Sequence, residues 1–248
     1  MITKRYHFEE IDSTNKKAKE LGSEGALHGT LVTADTQMSG VGRRGRSWSS
    51  EKNAGIYMSM VLRPEIETDK VSMLTLVAAM AVEKALLELQ MNAKIKWPND
   101  IVINKKKACG ILTELTLVGS KIDFVVLGIG INANNQEFPE EIKETATSLS
   151  KELGRDIDKE LLIKEVWKHF SVYYEQFLQT SDLSLFKEEY EAALINKNEK
   201  VKVLDPLGEY VGVAEGITNI GELVVQTEGK KRQVSSGEVS VRGIYGYV

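Results

Sequence analysis

The stretch Ser39–Trp48, SGVGRRGRSW, contains Gly40-Val41-Gly42-Arg43-Arg44-Gly45, which matches the dinucleotide-binding pattern G-x-G-x-x-G at every glycine. That fingerprint must open a helix, because the pyrophosphate rests on the helix's exposed amides and the third glycine packs helix against strand. Here Gly45 is followed by RSWSSEKNAGIYMSM, which has no 3.6-residue apolar period and leads through Gly55 into an apolar run of strand character. With no helix to receive a pyrophosphate, the loop joins two strands, and it carries three guanidiniums, Arg43, Arg44 and Arg46. Glycine amides interleaved with fixed positive charge suit a bound anion, since Arg forks match phosphate oxygens bidentately. Trp48 just beyond them can stack a nucleobase or close a small-molecule pocket, or pack as a core aromatic.

Working outward, the flanking strands are LVTADT before the loop and GIYMSMVLR after it. Residues 4–11 read as a further strand, with Asp12 or Ser13 capping a helix that runs to Leu21 and Gly22 supplying a left-handed stop. VSMLTLVAAMAVEKALLELQ has the length and composition of a buried helix. IKW, IVI, KACGILTELTLV and KIDFVVLGIGIN follow as strands with NKKK and VGS as turns, so hairpins dominate over crossovers. A helix from about Asp158 to Leu178 places Leu161, Leu162, Val166, Phe170, Tyr173, Tyr174 and Phe177 largely on one face. After Asn196 the texture changes to short strands separated by Gly, Pro and Asn turns. The expectation is an α+β body over 1–195 followed by a small C-terminal β-barrel over 196–248.

A chain of 248 residues with 42% hydrophobic and 27% charged residues can bury a full core and lacks the bias of disorder. Its single cysteine, Cys109, cannot form an internal bridge, and MITKRYHFEE has no apolar run of signal or membrane-span type, which points to a cytoplasmic protein without membrane attachment. A net charge of -4 argues against a broad nucleic-acid surface, so anion binding falls to the local GRRGR cluster.

Two further segments carry chemistry. In KWPNDIVINKKKACGIL, Asn99-Asp100 is turn chemistry and Lys96 ends a strand; strand alternation places Lys107 on the side of Cys109 and Ile111, where a partly desolvated ammonium would hold a carboxylate and a phosphate together. In GIGINAN, the glycines admit close approach of a ligand and the Asn132 amide oxygen is a ligand type suited to Mg²⁺.

In this order, DSTN (Asp12–Asn15), the Gln37–Trp48 loop, KWPND (Lys96–Asp100), Lys107-x-x-Gly110, GIGIN (Gly128–Asn132) and SSGEVSVR resemble bacterial biotin–protein ligases over essentially the whole chain. The resemblance implies a catalytic domain related to class II aminoacyl-tRNA synthetases and a small barrel. It implies activation of biotin with MgATP as biotinyl-5′-AMP, then transfer to a lysine of a biotin carboxyl carrier protein. Biotin contacts carry over onto Ser13, Thr14, Asn15, Gln37, Gly42, Arg43 and Lys107, with Lys107 and Arg43 catalytic. Adenylate contacts carry over onto Arg46, Trp48, Lys96, Asn99, Asn132 and Arg242, with Asn132 also the Mg²⁺ ligand. The family includes monomers and edge-to-edge dimers, so a homodimer is compatible with it.

Val41 stands where many relatives have Arg, and the chain starts at the catalytic strand where larger members carry a DNA-binding domain, so no DNA binding is expected. Two alternatives remain open. A lipoate–protein ligase or octanoyl transferase shares the fold and could use Cys109 as a thioester nucleophile, but would read RRxxGGG at the loop. A nucleic-acid-binding module using GRRGR would need a broader basic face.

Overall fold

A computed structural model describes residues 1–206, 208–237, 239–243 and 247–248; Glu238 of SSGEVSVR lies outside them. Strand β1 (Lys4–Ile11) leads through helix α1 (Thr14–Ser23) into β2 (Thr30–Gln37), and the two strands pair in parallel from Lys4 opposite Thr30 to Ile11 opposite Gln37. That register sets Gln37 beside the start of α1. Strand β3 (Ile56–Leu62) is buried throughout. Helix α2 (Met73–Glu88) follows, then β4 (Lys94–Lys96), β5 (Asp100–Ile103), β6 (Lys106–Val118) and β7 (Lys121–Ile131). The seven strands form one sheet in the order β1-β2-β3-β7-β6-β5-β4, antiparallel except for β1 with β2. The expected preponderance of hairpins is what the chain builds.

Alternation along the strands feeds two cores. Leu31, Met58, Met60, Val125 and Leu127 belong to a large cluster with α2, while Val32, Val61, Phe124 and Val126 belong to a small one with Ala18 of α1. The sheet is therefore covered by α2 on one face and α1 on the other. Helix α3 (Leu149–Leu153) is short; α4 (Lys159–Thr180) packs along α2, and α5 (Lys187–Ala193) precedes the terminal strands. Asp158 caps α4 as a side-chain acceptor from the Leu161 amide at 3.0 Å. Of the expected apolar face, Leu161 is 49% exposed: it lies in the first turn, off the stripe that Leu162, Val166, Phe170 and Phe177 bury.

The terminal segment is all β: β8 (Lys200–Leu204), β9 (Tyr210–Ile217), β10 (Leu223–Thr227), β11 (Lys230–Val234) and β12 (Ser240–Gly243) make a small antiparallel sheet in the order β11-β10-β9-β8-β12. Its buried residues, among them Val203, Leu223 and Val225, join the large cluster. The Trp97 indole also reaches into this segment, donating to the Gly221 carbonyl at 2.9 Å.

Gly22 corrects the expected end of α1. The helix runs through it to Ser23, and the left-handed residue is Gly25, φ +87°. Gly22 serves close packing instead: a Cβ there would stand 2.5 Å from the Phe124 ring.

Candidate active site

The loop between β2 and β3 carries no helix beyond a single 3-10 turn at Arg43–Gly45, as its sequence requires, with Arg44 and Gly45 at positive φ. Its neck closes by Gly42 N–H to the Arg46 carbonyl at 2.7 Å and Trp48 N–H to the Gly40 carbonyl at 2.8 Å. The Val41 side chain is half exposed, while its backbone bridges Ser47 across the neck. Arg43 turns inward. Its guanidinium donates to Asn99 Oδ1 at 2.9 Å, to the Gly237 carbonyl at 3.1 Å and to the Ser236 carbonyl, so it ties the loop to KWPND and to the terminal sheet. Burial lowers its pKa from the ordinary guanidinium value, with Asp100 opposing that shift.

Two adjoining cavities lie along the sheet here. The smaller, about 50 Å³, is lined by Ser13, Thr14, Asn15, Gln37, Gly42, Arg43 and Lys107 among others, which brings every residue expected at biotin to one place. The larger, about 670 Å³, is lined by Arg46, Trp48, Lys96, Asn99, Asn132 and Arg242, every residue expected at the adenylate. Gly42, Arg43, Trp48, Asn99 and Lys107 border both.

The wall of the smaller cavity is a hydrogen-bonded set. Gln37 Oε1 accepts from the Thr14 amide at 2.8 Å and its hydroxyl at 3.0 Å. Asn15 donates to Glu114 Oε2 at 2.7 Å, and the Ser59 hydroxyl lies 2.6 Å from Asn15 Oδ1 and 2.8 Å from Thr14 Oγ1. Ser59 and Glu114 escaped the sequence reading, although Ser59 is the lone hydroxymethyl in the buried run IYMSMVL. The glycines of GIGIN make room for side chains rather than directly for a ligand. A Cβ on Gly128 would collide with Asn15 Oδ1, and one on Gly130 would stand 2.8 Å from the Trp48 indole. Gly110, opposite Gly130 in register, would meet the same indole at 2.6 Å. The paired glycines thus form a flat seat for Trp48, which separates the two cavities.

Lys107 corrects the alternation argument. Between β5 and β6 the register slips: Ile101 faces Cys109 and Val102 faces Lys107, leaving Ala108 as the extra residue of a bulge. The bulge turns Lys107 away from the face of Cys109. Its ammonium lies 3.1 Å from the position of a Cβ on Gly110, in the cavity, and 2.6 Å from Asp100 Oδ1. Cys109 is fully buried in the core and its thiol pKa is pushed well up by burial, so it offers no nucleophile.

Asp100, expected only as a turn residue, is buried. Lys107 and Lys96 overcome the cost of its burial and hold its carboxyl below the usual range, helped by a hydrogen bond that Oδ2 accepts from the Tyr247 phenol. Burial lowers the Lys96 ammonium to about 8. Asn132 donates to the Lys107 carbonyl at 3.4 Å and the Thr147 carbonyl at 3.0 Å, which leaves its amide oxygen as acceptor. Asn135 also lines the larger cavity, with a buried Oδ1 that has no hydrogen-bond donor among the described residues. Among the described residues, the only three-residue grouping of His, Cys or carboxylate ligands is Glu88, Glu165 and His169, at α2 and α4 and outside both cavities.

A sheet-floored pair of cavities, one polar and narrow, one cationic and wide, joined at an arginine and a lysine, defines an enzyme that couples a small acid to a phosphate-bearing partner. The chain matches the model of the Biotin/lipoate A/B protein ligase family over residues 7–132 and that of the Biotin protein ligase C terminal domain over 198–242. The Bifunctional ligase/repressor BirA of Bacillus subtilis is 39% identical over 241 residues, 95% of this chain and 73% of that protein. The Biotin--[acetyl-CoA-carboxylase] ligase of Paracoccus denitrificans is 30% identical, with 94% and 98% covered. The solved biotin protein ligase of Aquifex aeolicus in complex with biotin and ATP superposes with a TM-score of 0.87 at 34% identity, covering 98% of this chain and all of that one. The chain belongs to the biotin/lipoate protein ligase family.

Proposed function

We infer that the protein is an ATP-dependent biotin–protein ligase, which activates biotin as biotinyl-5′-AMP and transfers the acyl group to a lysine of a biotin carboxyl carrier protein. The observation that carries this reading is the shared border of the two cavities, where Lys107 and Arg43 line both and flank a place at which a ligand in one can meet a ligand in the other. It is supported by the family membership and by the similarity to the Aquifex aeolicus enzyme crystallised with biotin and ATP.

In the first step a carboxylate oxygen of biotin bonds to the α-phosphorus as pyrophosphate departs with the electron pair of the broken P–O bond. Both reactants are anions, and their repulsion is the main barrier to close approach. The Lys107 ammonium and the Arg43 guanidinium relieve it, and such fixed charges act most strongly once the loop has closed and water is excluded. In the second step the carrier's lysine amine bonds to the acyl carbon and gives up a proton, while AMP leaves with the electron pair of the broken C–O bond. Arg43, pinned by Asn99 and the Ser236–Gly237 carbonyls, closes the loop over the junction and keeps water from the mixed anhydride.

Mg²⁺ fits the larger cavity as an ion held mainly by phosphates, with the Asn132 and Asn135 amide oxygens as protein donors. When bound it supplies charge neutralisation on the leaving pyrophosphate. A carrier domain of a carboxylase is the proposed partner. Lipoate is disfavoured as substrate by the GRRGR loop, and a cysteine-thioester route by the buried thiol. Among the described residues no helix is long and apolar enough to cross a membrane.

Biotin-dependent exchange of pyrophosphate into ATP, repeated with lipoate, tests the reading. Exchange is expected with biotin alone. Exchange with lipoate and none with biotin would replace biotin in this scheme.

A further inference from the structure

We propose that Tyr247 is a positioning residue for adenylation: its phenol fixes the Asp100 carboxylate that pairs with Lys107, and its ring seats the Lys96 ammonium. The proposal rests on the reading of the larger cavity as the nucleotide half of the site.

Tyr247 lies beyond the last described strand, yet it lines that cavity. The Val248 carbonyl abuts Gly243 so closely that a Cβ on Gly243 would collide with it, which sets Val248 against the end of β12 and Tyr247 at the site. There the phenol donates to Asp100 Oδ2, while Lys107 Nζ stands 2.6 Å from Oδ1. The two carboxylate oxygens are thus divided between a neutral donor and one lysine. Lys96 Nζ sits 3.9 Å from the centroid of the Tyr247 ring. Lys96 is only 6% exposed, and the ammonium of a buried lysine gains more from a ring face than one in water does.

Without the phenol, Oδ2 would be a buried carboxylate oxygen short of a donor, and Lys96, whose charge already acts on Asp100, is the cation available to replace it. A carboxylate bridging both lysines would draw each away from the incoming phosphate. The aromatic residue therefore keeps Asp100 committed to Lys107 and leaves Lys96 facing the cavity. Burial and the Asp100 charge both raise the phenol's pKa, so it stays a neutral donor across the working pH range.

The test uses the full chain and biotin-dependent pyrophosphate exchange, with biotin affinity measured by calorimetry and fold by thermal melting. Tyr247→Phe keeps the ring and removes the donor: kcat falls about tenfold, the worth of one hydrogen bond to a charged group, while KM for ATP and the biotin affinity stay within about twofold. Tyr247→Leu removes the ring as well and adds a rise of about fivefold in KM for ATP. In an Asp100→Ala background Tyr247→Phe changes kcat by less than about twofold, because the phenol has lost the group through which it acts.

A Tyr247→Phe enzyme with unchanged kcat, or an equal loss with and without Asp100, overturns the proposal even if the melting temperature drops. So does a gain in kcat or a lower KM for ATP in Tyr247→Leu, which would make the aromatic ring an obstacle in the cavity. Absence of exchange in the unsubstituted protein overturns the nucleotide reading and this proposal together.

Discussion

Lys96 couples the electrostatics of the site to the stability of the whole protein. Burial is the largest influence on it and lowers its pKa from 10.5 to about 8; Asp100 opposes that, and Lys107, Arg242 and Arg46 reinforce it. A displacement of this size corresponds to roughly 3 kcal/mol of unfavourable charge burial. The sign follows from proton counts. Below about pH 8 the folded and unfolded chains both carry the charge, and the folded state bears the full cost. Between about pH 8 and the unfolded value of 10.5 the unfolded chain holds more protons, so stability rises with pH, and above that range the cost is gone.

Denaturant melts of the protein and its Lys96→Met variant, compared at each pH so that other titrations cancel, should show the variant more stable by roughly 3 kcal/mol near neutrality, with the gap closing by about pH 10.5. On the proposed reading of Lys96 as a nucleotide contact, the same variant should lose adenylation. A triphosphate in the cavity would then restore the ammonium, so at about pH 8.5 each ATP bound should take up about three-quarters of a proton, read by calorimetry in buffers of different ionisation enthalpy. Lys96→Arg, permanently charged, should abolish the uptake. A stability gap independent of pH, or uptake unchanged in Lys96→Arg, would refute the reasoning.

Other substitutions separate the remaining parts. Gly130→Ala drives a methyl to 2.8 Å from the Trp48 indole; it should cost about 1–3 kcal/mol of stability and weaken both biotin and ATP in calorimetry, whereas intact binding of either would show that the indole is not the shared wall. Ser59→Ala removes the hydroxyl joining Thr14 to Asn15 and should weaken biotin by about tenfold with little change in KM for ATP. Arg43→Gly frees the loop from Asn99, Ser236 and Gly237 and should release biotinyl-AMP, detected as biotin on bystander lysines by mass spectrometry; retention of the adenylate would count against the loop as a closure. Cys109→Ser should transfer biotin at close to the normal rate while losing about 1–3 kcal/mol of stability from a buried hydroxyl, and abolished transfer with the fold intact would revive a thioester route.

Local rules carried the reading of most elements. The apolar runs around the arginine loop, the hairpin turns and the long apolar-faced helix near its expected bounds are short-range signals, and each stands where its chemistry places it. What strict periodicity misses is the single extra residue. Alternation assigns Lys107 and Cys109 to one side, and the Ala108 bulge, set by pairing with β5 rather than by composition, separates them. Gly22 misleads in the same way, because a glycine selected to let Phe124 approach is indistinguishable in sequence from one selected for its backbone conformation. Contacts across long separations left no local mark at all: Tyr247 and Asp100 are 147 positions apart, and nothing near either names the other.

Helix α2 has a consequence for how the protein is made. All but three of its sixteen residues are buried, with no solvated side to shelter behind while its cover is missing. That cover includes α4, so the greasy segment must wait while the chain from Glu88 to Thr180 is translated, roughly 5–20 s at ordinary ribosome speeds. Slow codons between α2 and α4 would lengthen that exposure, whereas slow codons upstream of α2 would leave it unchanged.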